Sequence, residues 1–316
     1  MRDDLRLHVL VLFGGRAGEY EVSCASAADI VAHLDRERYS VQPVRVTPDG
    51  EWVATLGAAD IVIPALHGPS GGDGRVQAVM DSLGVRYVGC GMAASALGMD
   101  KDAAKRLVKG SGLRVADWAL VRGPDGAVTA EERTRLGLPV LVKPARSGFD
   151  ARATRVTRWH ELDAALAVAR KWDERVLVEA AVIGREVDVA VLELPDGRLE
   201  VGPILETRVA RDRASHDLDA THRVPTRLML VPAQLDGELD AELRRLAVHV
   251  FELFGCRGLA RIGFLVPDEG GPVFDEIGTF PAFTARSPYP KIWEASGLPF
   301  GRLLDLLLDR AVRSEA

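Results

Sequence analysis

Residues 5–23 have the sequence LRLHVLVLFGGRAGEYEVS, and this stretch decides how the first third of the chain folds. Its apolar, β-rich part, Leu5–Phe13, predicts a strand that ends at Gly14 and Gly15. In the segment that follows, Ser23–Leu34, the apolar residues have the spacing of an amphipathic helix. A strand that enters a helix through a glycine-rich turn is typical of an α/β domain with a parallel sheet.

Three more strands are predicted in the first third, over Tyr39–Val46, Asp60–Ala65 and Val85–Val88, with helical stretches between them. This alternation favours a parallel sheet covered by helices, because parallel strands need crossover connections that lie on the faces of the sheet. We expect the first domain to extend over residues 1–99.

The pattern then changes to a small α+β unit, which we expect to extend over residues 100–184. A helix is followed by a strand and a Pro-Gly turn, and further strands and a second helix come after them. The predicted helices are Asp100–Lys109 and Trp159–Lys171, and the predicted strands are Trp118–Val121, Val140–Lys143 and Val176–Glu179.

The last part of the chain, residues 185–316, predicts a third domain. A charged segment without apolar periodicity, Thr207–Pro225, predicts a mobile loop. A hairpin is predicted from the strands Leu259–Val266 and Pro272–Gly278, which a short turn joins. The other predicted elements are a strand at Glu186–Leu194 and helices at Asp236–Phe254 and Phe300–Val312.

The composition is that of a globular protein that handles small molecules. Hydrophobic residues make up 47% and charged residues 27%, which excludes a disordered or collagen-like polymer. The net charge of -6 provides no field that would attract nucleic acid or an anionic membrane. Three cysteines without a CxxC pair indicate reduced thiols, and the apolar run Val9–Phe13 is too short for a signal peptide or a membrane span. We therefore expect a cytoplasmic protein.

Two glycine-rich turns follow strands in the first domain. They are FGGRAGEYEVS at Phe13–Ser23 and ALHGPSGGDGRVQ at Ala65–Gln77. Taken alone, the first turn is weak evidence for a site, because glycines between a strand and a helix often serve only close packing. In the second turn, a single histidine such as His67 is more often a core or loop residue than a catalytic one.

Two lysines, one of them at the end of an apolar strand, are more informative. MDKDAAKRL at Met99–Leu107 contains Lys101, and LPVLVKPARSG at Leu138–Gly148 contains Lys143. A buried ammonium group is costly unless it meets an anion, so two such lysines suit a polyphosphate. In VLVEAAVIGRE, residues 176–186, the apolar run ends in a carboxylate that could bind the edge of a nucleobase.

These motifs, together with FDEIGTFPAFTARSPYP at Phe274–Pro290, resemble in order and spacing the D-alanine:D-alanine ligase family of ATP-grasp enzymes. The resemblance covers nearly the whole chain. It implies an ATP-grasp fold of mixed α/β and α+β type, with an N-terminal Rossmann-like substrate domain, a central lid domain and a C-terminal ATP-grasp domain. It also implies that ATP phosphorylates the carboxylate of a first D-amino acid, whose acyl phosphate is attacked by the amine of a second. By resemblance, a homodimer is possible.

The resemblance assigns one group of residues to the nucleotide. Lys101 and Lys143 would neutralise phosphate oxygens. Glu179 and the backbone near Val182 would hold adenine, and Glu186 would bind the ribose hydroxyls.

A second group is assigned to the substrates. Glu19 would orient the first ammonium, and His67 would lie beside the first substrate. Arg261 would stabilise the tetrahedral intermediate and Ser287 would bind the second carboxylate. Ala282 stands where the family has a glycine whose N–H helps to form an oxyanion hole.

The predicted hairpin departs from the family pattern. Because side chains alternate along a strand, Arg261 and Gly263 share one face, as do Glu276 and Gly278, and all four should point into the cleft. The family has its three Mg²⁺ ligands at positions 263, 276 and 278, so only Glu276 remains. One Mg²⁺ ion with a reduced ligand set is the expectation. Asp275 should point to the opposite face and replace none of the lost ligands.

Two loops depart as well. The phosphate-covering Gly-Ser-Ser-x-Gly of the family is Gly148 followed by FDAR at residues 149–152, and the lysine and tyrosine of the mobile loop correspond to Thr221 and His222. We therefore expect an active ligase with specialised substrates, in which His222 contacts the substrate. Two alternatives are a catalytically silent relative that binds a nucleotide or an amino acid, and the housekeeping ligase of peptidoglycan synthesis.

Overall fold

The computed structural model describes residues 6–15, 19–69, 71–148, 153–209 and 227–313, and these form three sheets. The predictions for residues 149–152 and for Thr221 and His222 lie outside the described residues. In the described part of the chain no helix combines the length and hydrophobicity needed to cross a bilayer.

The first sheet is parallel, as predicted, with the strand order β2-β1-β3. The predicted strand at Val85–Val88 contributes only a single bridge, from Tyr87 to Val62. The elements of this part are β1 (Leu7–Gly14), α1 (Tyr20–His33), β2 (Tyr39–Val46), α2 (Val53–Leu56), β3 (Ile61–Pro64), α3 (Arg75–Ser82) and α4 (Met92–Met99).

The second sheet is antiparallel, with the order β4-β7-β5-β6. Helix α5 leads into it and begins at Lys101, because the Asp100 side chain accepts hydrogen bonds from the backbone N–H groups of Asp102 and Ala103. The elements are α5 (Lys101–Gly110), β4 (Trp118–Arg122), α6 (Ala130–Leu136), β5 (Val140–Pro144), β6 (Thr154–Val156), a 3₁₀ turn (Trp159–Glu161), α7 (Leu162–Arg170) and β7 (Arg175–Ala180).

The third sheet is antiparallel and has the order β11-β10-β8-β12-β13, with β9 paired to β8. Thr207, predicted in a loop, lies instead in a strand of this sheet. The elements are β8 (Arg185–Glu193), β9 (Leu199–Val201), β10 (Leu205–Val209), β11 (Arg227–Leu230), α8 (Gly237–Leu253), β12 (Leu259–Val266), β13 (Val273–Gly278), α9 (Pro288–Ala295) and α10 (Phe300–Arg313).

The first and third sheets share a hydrophobic core. Ile61 and Ile63 of β3 belong to the same buried cluster as Leu304 and Leu308 of α10 and Leu192 of β8. Burial of such side chains contributes about 1.5–3 kcal/mol each, so this core fixes β1 and its glycine-rich turn relative to β8. The middle sheet has a core of its own around Val142 and Val178. The domain boundaries given above stay a prediction.

Candidate active site

A buried cluster of lysines and carboxylates joins the middle and third sheets. Lys105 Nζ of α5 lies 2.6 Å from one oxygen of Glu179, and Lys143 Nζ of β5 lies 3.0 Å from the other. Lys143 Nζ is also 3.6 Å from Asp275 of β13. Burial alone would raise the pKa of the Glu179 carboxyl, but the charges of Lys143 and Lys105 outweigh it and hold that pKa below its ordinary value. The cluster is therefore charged.

Lys101 extends this positive region to the hairpin. It lies one helical turn before Lys105 on α5, so the two side chains lie on one face of the helix. Its ammonium group donates a hydrogen bond of 2.8 Å to the Ser147 carbonyl oxygen and lies 4.0 Å from Glu276 Oε2. The two lysines that the sequence singles out, Lys101 and Lys143, are thus both buried and both directed at carboxylates of β13.

The cleft face of the hairpin carries charged side chains that contact one another. Arg261 Nη1 donates to Asp188 Oδ1 at 2.8 Å, and Nη2 donates to Glu276 Oε1. Gly263 is paired with Asp188 on one side and with Glu276 on the other, while Arg261 is paired with Gly278. Arg261 and Glu276 therefore share one face of the hairpin.

The expected orientation of Asp275 is wrong. Gly263 pairs with Glu276, whereas the next residue, Phe264, pairs with Phe274, so Asp275 is the extra residue of a β-bulge. A bulge interrupts the alternation of side chains along a strand. Asp275 consequently faces Lys143 instead of the opposite side of the hairpin.

The two glycine-rich turns of the first domain meet the loop after β5. Glu19 is 2% exposed, and its carboxylate lies so close to Gly68 that a Cβ atom on Gly68 would come within 1.9 Å of Oε2. The backbone of Gly68 in turn packs against Gly148, whose added Cβ would lie 3.2 Å from the Gly68 Cα. Glu19, the His-Gly motif and the start of the phosphate-loop segment therefore converge.

We expect Gly68→Ala to lower the free energy of unfolding by about 2–4 kcal/mol, from the positive φ of +67° and the overlap with the buried carboxylate. Gly84→Ala is the matched control, because Gly84 has a φ of +64° but nothing within 4 Å of an added Cβ. Urea denaturation of both variants measures the difference. Equal destabilisation of the two would contradict the packing of Glu19 against Gly68.

His67 is positioned by α1 and by the loop after β13. Its Nε2 lies 3.0 Å from Ser26 Oγ, and the Phe283 N–H donates a hydrogen bond to the same hydroxyl oxygen. Burial lowers the pKa of His67 to about 4. The imidazole is therefore neutral at pH 7, where it offers a hydrogen bond without a charge.

The pKa of His67 makes stability depend on pH. Between about pH 4 and the ordinary pKa of 6.5, the unfolded chain binds a proton at His67 that the folded chain does not. The free energy of unfolding should therefore fall as pH decreases through this window, by up to about 1.4 kcal/mol per pH unit. Urea denaturation from pH 7 to pH 4.5 should show a shallower decline in His67→Gln, with His160→Gln at an exposed position as the control. Parallel profiles of His67→Gln and the wild type would contradict this account.

The turn before α9 is held by side chains of α1 and by its own hydroxyls. The Ala285 N–H donates to Asp29 of α1, and Ser287 Oγ lies 2.8 Å from Thr284 Oγ1 and accepts from the Thr284 N–H. Ser287 is buried and occupies the N-cap position of α9 without a side-chain capping bond. Ala282 lies two residues before this turn, next to the segment that Ser26 fixes.

The remaining predicted residues lie around β8. Val182 is half-buried in the connection between β7 and β8, three residues beyond Glu179. Glu186 is half-buried on β8 and is paired with Leu265 of β12. Contacts that lead from Glu19 through Gly68, Gly148 and Lys101 to Glu276 thus connect residues from the first, middle and third sheets. Their assignment to nucleotide or substrate stays a prediction.

Two residues of the cleft were missed by the sequence analysis. Asp188 is a buried acid within the apolar run of β8, and Lys105 is a fully buried lysine one turn after Lys101. For Asp188 the signal was present, because an ionisable side chain within an apolar strand needs a partner of opposite charge. The helix of Lys105, KDAAKRLVKG, is rich in charged residues and gave no such signal.

The carboxylates of the cleft fit a single divalent cation. No group of three or more His, Cys, Asp or Glu side chains that could hold a metal occurs among the residues that the structure describes. Asp188 and Glu276 nevertheless flank Gly263 on the cleft face. Mg²⁺ is commonly bound by one or two carboxylates plus the phosphates of a substrate, so this donor set suits an ion that arrives with a nucleotide.

Comparisons with known proteins give the same kind of protein for the N-terminal and the C-terminal parts of the chain. Two family models match it, "D-ala D-ala ligase N-terminus" over residues 8–59 and "D-ala D-ala ligase C-terminus" over residues 107–309. A D-alanine–D-alanine ligase of Mycolicibacterium smegmatis is 40% identical over an alignment of 358 positions, which covers 97% of this chain and 96% of that protein. One from Nocardia farcinica is 39% identical over 354 residues, covering 97% of both.

Solved structures give the same result. The D-alanine–D-alanine ligase of Bacillus anthracis complexed with ATP has a TM-score of 0.85 and 27% identity, covering 97% of this chain and 98% of that one. The VanG D-Ala:D-Ser ligase of Enterococcus faecalis has a TM-score of 0.84 and 29% identity, covering 97% and 99%.

Proposed function

The chain belongs to the D-alanine–D-alanine ligase family, and we propose that it is an ATP-dependent ligase that joins two D-alanine molecules in peptidoglycan synthesis. The observation that carries the proposal is the convergence of Lys101, Lys143, Arg261 and Glu276 in one cleft. These residues come from three separate parts of the sequence, and the ATP-grasp fold brings them together.

The expectation of specialised substrates has less support than the housekeeping alternative. The curated relatives at 38–40% identity are named D-alanine–D-alanine ligase. The neighbour named for a D-Ala:D-Ser pair is a structural match at 29% identity. We therefore prefer D-alanine for both substrates. A cytoplasmic location and a homodimer are parts of this proposal.

We propose that the middle and third sheets hold the nucleotide. Lys101 and Lys143 supply positive charge for phosphate oxygens, which is supported by their positions beside Glu276 and Asp275 of β13. Glu179 and the backbone near Val182 bind adenine, and Glu186 binds the ribose. Because Lys105 and Lys143 neutralise Glu179, this carboxylate is held in one position.

The first sheet and the turn before α9 hold the two amino acids in this proposal. Glu19 binds the ammonium of the first, next to the neutral His67. The first carboxylate attacks the γ-phosphorus and ADP leaves. Ser287 binds the carboxylate of the second amino acid. The neutral amine of this amino acid attacks the acyl carbon, the bond from that carbon to the phosphate oxygen breaks, and the proton lost by the amine leaves with the phosphate.

Charge that develops during these steps is stabilised by fixed donors. Arg261 and the backbone N–H of Ala282 are the proposed donors for the oxygen of the tetrahedral intermediate, and such preorganised donors contribute about 3–4 kcal/mol each in other enzymes. Glu276 is the predicted Mg²⁺ ligand. When bound, the ion neutralises phosphate charge during transfer.

The proposal is tested by following ADP release with D-alanine, D-serine or L-alanine as the only amino acid, in the presence of ATP and Mg²⁺, and by weighing the products. D-Alanine should support ADP release and give the mass of its dipeptide, and L-alanine should give neither. A D-serine-dependent product in place of the D-alanine dipeptide would restore the hypothesis of specialised substrates. No ADP release, with ATP bound, would favour the silent relative.

A further inference from the structure

Three neighbouring strands place two carboxylates on either side of a glycine. Asp188 of β8 and Glu276 of β13 are both paired with Gly263 of β12. The residues on either side of Asp188, namely Val187 and Val189, are buried in the core of the third sheet. Asp188 therefore lies on the other face of β8, which is the cleft face.

The side chains of Asp188 and Glu276 both lie close to Gly263. A Cβ atom built on Gly263 would lie 3.7 Å from Asp188 Oδ1 and 3.4 Å from Glu276 Cγ. Both side chains thus approach Gly263, from the strands on either side of it. A Cβ atom at this position would be in ordinary van der Waals contact with both of them.

A positive group already lies between the two carboxylates. The guanidinium of Arg261 donates to Asp188 and to Glu276, and the Lys101 ammonium is 4.0 Å from the second oxygen of Glu276. Asp188 is only 4% exposed, so its charge depends on a cation in contact with it. The two carboxylates therefore form a binding site for positively charged groups.

From this geometry we infer that Asp188 and Glu276 together hold the divalent cation that accompanies the nucleotide. In the family pattern a carboxylate at position 263 of β12 has this task, and here a carboxylate on the neighbouring strand β8 provides it. The inference rests on the proposed function, because the ion arrives with the nucleotide. When phosphates enter the cleft, Arg261 gains an anionic partner and the two carboxylates can accept the ion.

The test measures the binding of Mn²⁺ to the protein with saturating ADP, by electron paramagnetic resonance, and the binding of ADP without metal, by calorimetry. Asp188→Asn and Glu276→Gln should each weaken Mn²⁺ binding by roughly tenfold or more, since even outer-shell changes cost 10–100-fold. Asp196→Asn is the matched control, because Asp196 lies at an exposed position next to β8.

A double variant moves one carboxylate from β8 to β12 and leaves the number of charged residues unchanged. Asp188→Asn combined with Gly263→Asp should recover most of the Mn²⁺ affinity that Asp188→Asn loses, because the carboxylate is returned to the adjacent strand. This rescue separates a ligand from a residue that only positions Arg261.

The outcomes are distinct. Unchanged Mn²⁺ affinity in Asp188→Asn, with ADP binding intact, would overturn the inference and leave the proposed function standing. A loss in Asp188→Asn that the double variant does not recover would also overturn it, provided that circular dichroism shows both variants folded. Failure of the wild type to bind ADP would instead contradict the proposed function.

Discussion

Lys105→Met is expected to lower the free energy of unfolding by about 3–5 kcal/mol, the usual effect of breaking a buried ion pair from one side. The Lys105 side chain is fully buried and its ammonium lies 2.6 Å from Glu179. Methionine fills a similar volume but donates no hydrogen bond and carries no charge. The Glu179 carboxylate would then share its buried position with Lys143 alone.

Urea denaturation at pH 7 measures this effect, and Lys109→Met is the matched control. Lys109 lies one turn further along α5 and is exposed, so its loss should change stability by less than about 1 kcal/mol. The double variant Lys105→Met with Glu179→Gln removes one charge of each sign and should be more stable than Lys105→Met. Similar stability of Lys105→Met and Lys109→Met would show that the buried cluster does not hold the middle sheet.

Arg261→Met is expected to lower kcat by roughly 10²–10³-fold, which is the loss caused by removal of one donor from an oxyanion-binding site. Arg261 contacts both Asp188 and Glu276, so its loss also leaves two carboxylates facing each other across Gly263. The effect should appear mainly in kcat, because the proposed contact of Arg261 with the reacting atoms forms in the transition state.

Steady-state ADP release with D-alanine gives kcat and KM for this variant. Arg198→Met is the control, since Arg198 pairs with Asp196 at an exposed position outside the cleft, and its kcat should match that of the wild type. Unchanged kcat in Arg261→Met would remove Arg261 from the proposed reaction. A change confined to KM would indicate that Arg261 binds a substrate in the ground state.

Two long strands, Tyr39–Val46 and Leu259–Val266, were predicted with the bounds that the structure shows, although one contains a proline and the other a glycine. The prediction failed at Val85–Val88, where only Tyr87 bridges to β3, because a short apolar run does not show whether a neighbouring strand offers free backbone groups along its length. Strand pairing is a tertiary property, so a run of four residues does not determine it.

Site residues could be predicted where a charged side chain requires a partner of opposite charge. Lys143 stood out because an ammonium in an apolar segment needs an anion, and the structure places carboxylates of β13 beside it and beside Lys101. The bulge at Asp275 was not predictable, because a period of two assumes a regular ladder. Asp188 was visible as an acid within an apolar strand, but its position beside Glu276 depends on the register of three strands.

The central claim is that this cleft forms an acyl phosphate and then an amide. It is tested most directly by supplying D-alanine labelled with ¹⁸O in its carboxylate, with ATP and Mg²⁺, and weighing the inorganic phosphate that is released. In the proposed reaction a carboxylate oxygen attacks the γ-phosphorus and stays with the phosphate when the second amine displaces it. We predict one ¹⁸O atom in the phosphate for each ADP and each dipeptide formed. ADP release with unlabelled phosphate, or no D-alanine-dependent ADP release at all, would contradict the claim.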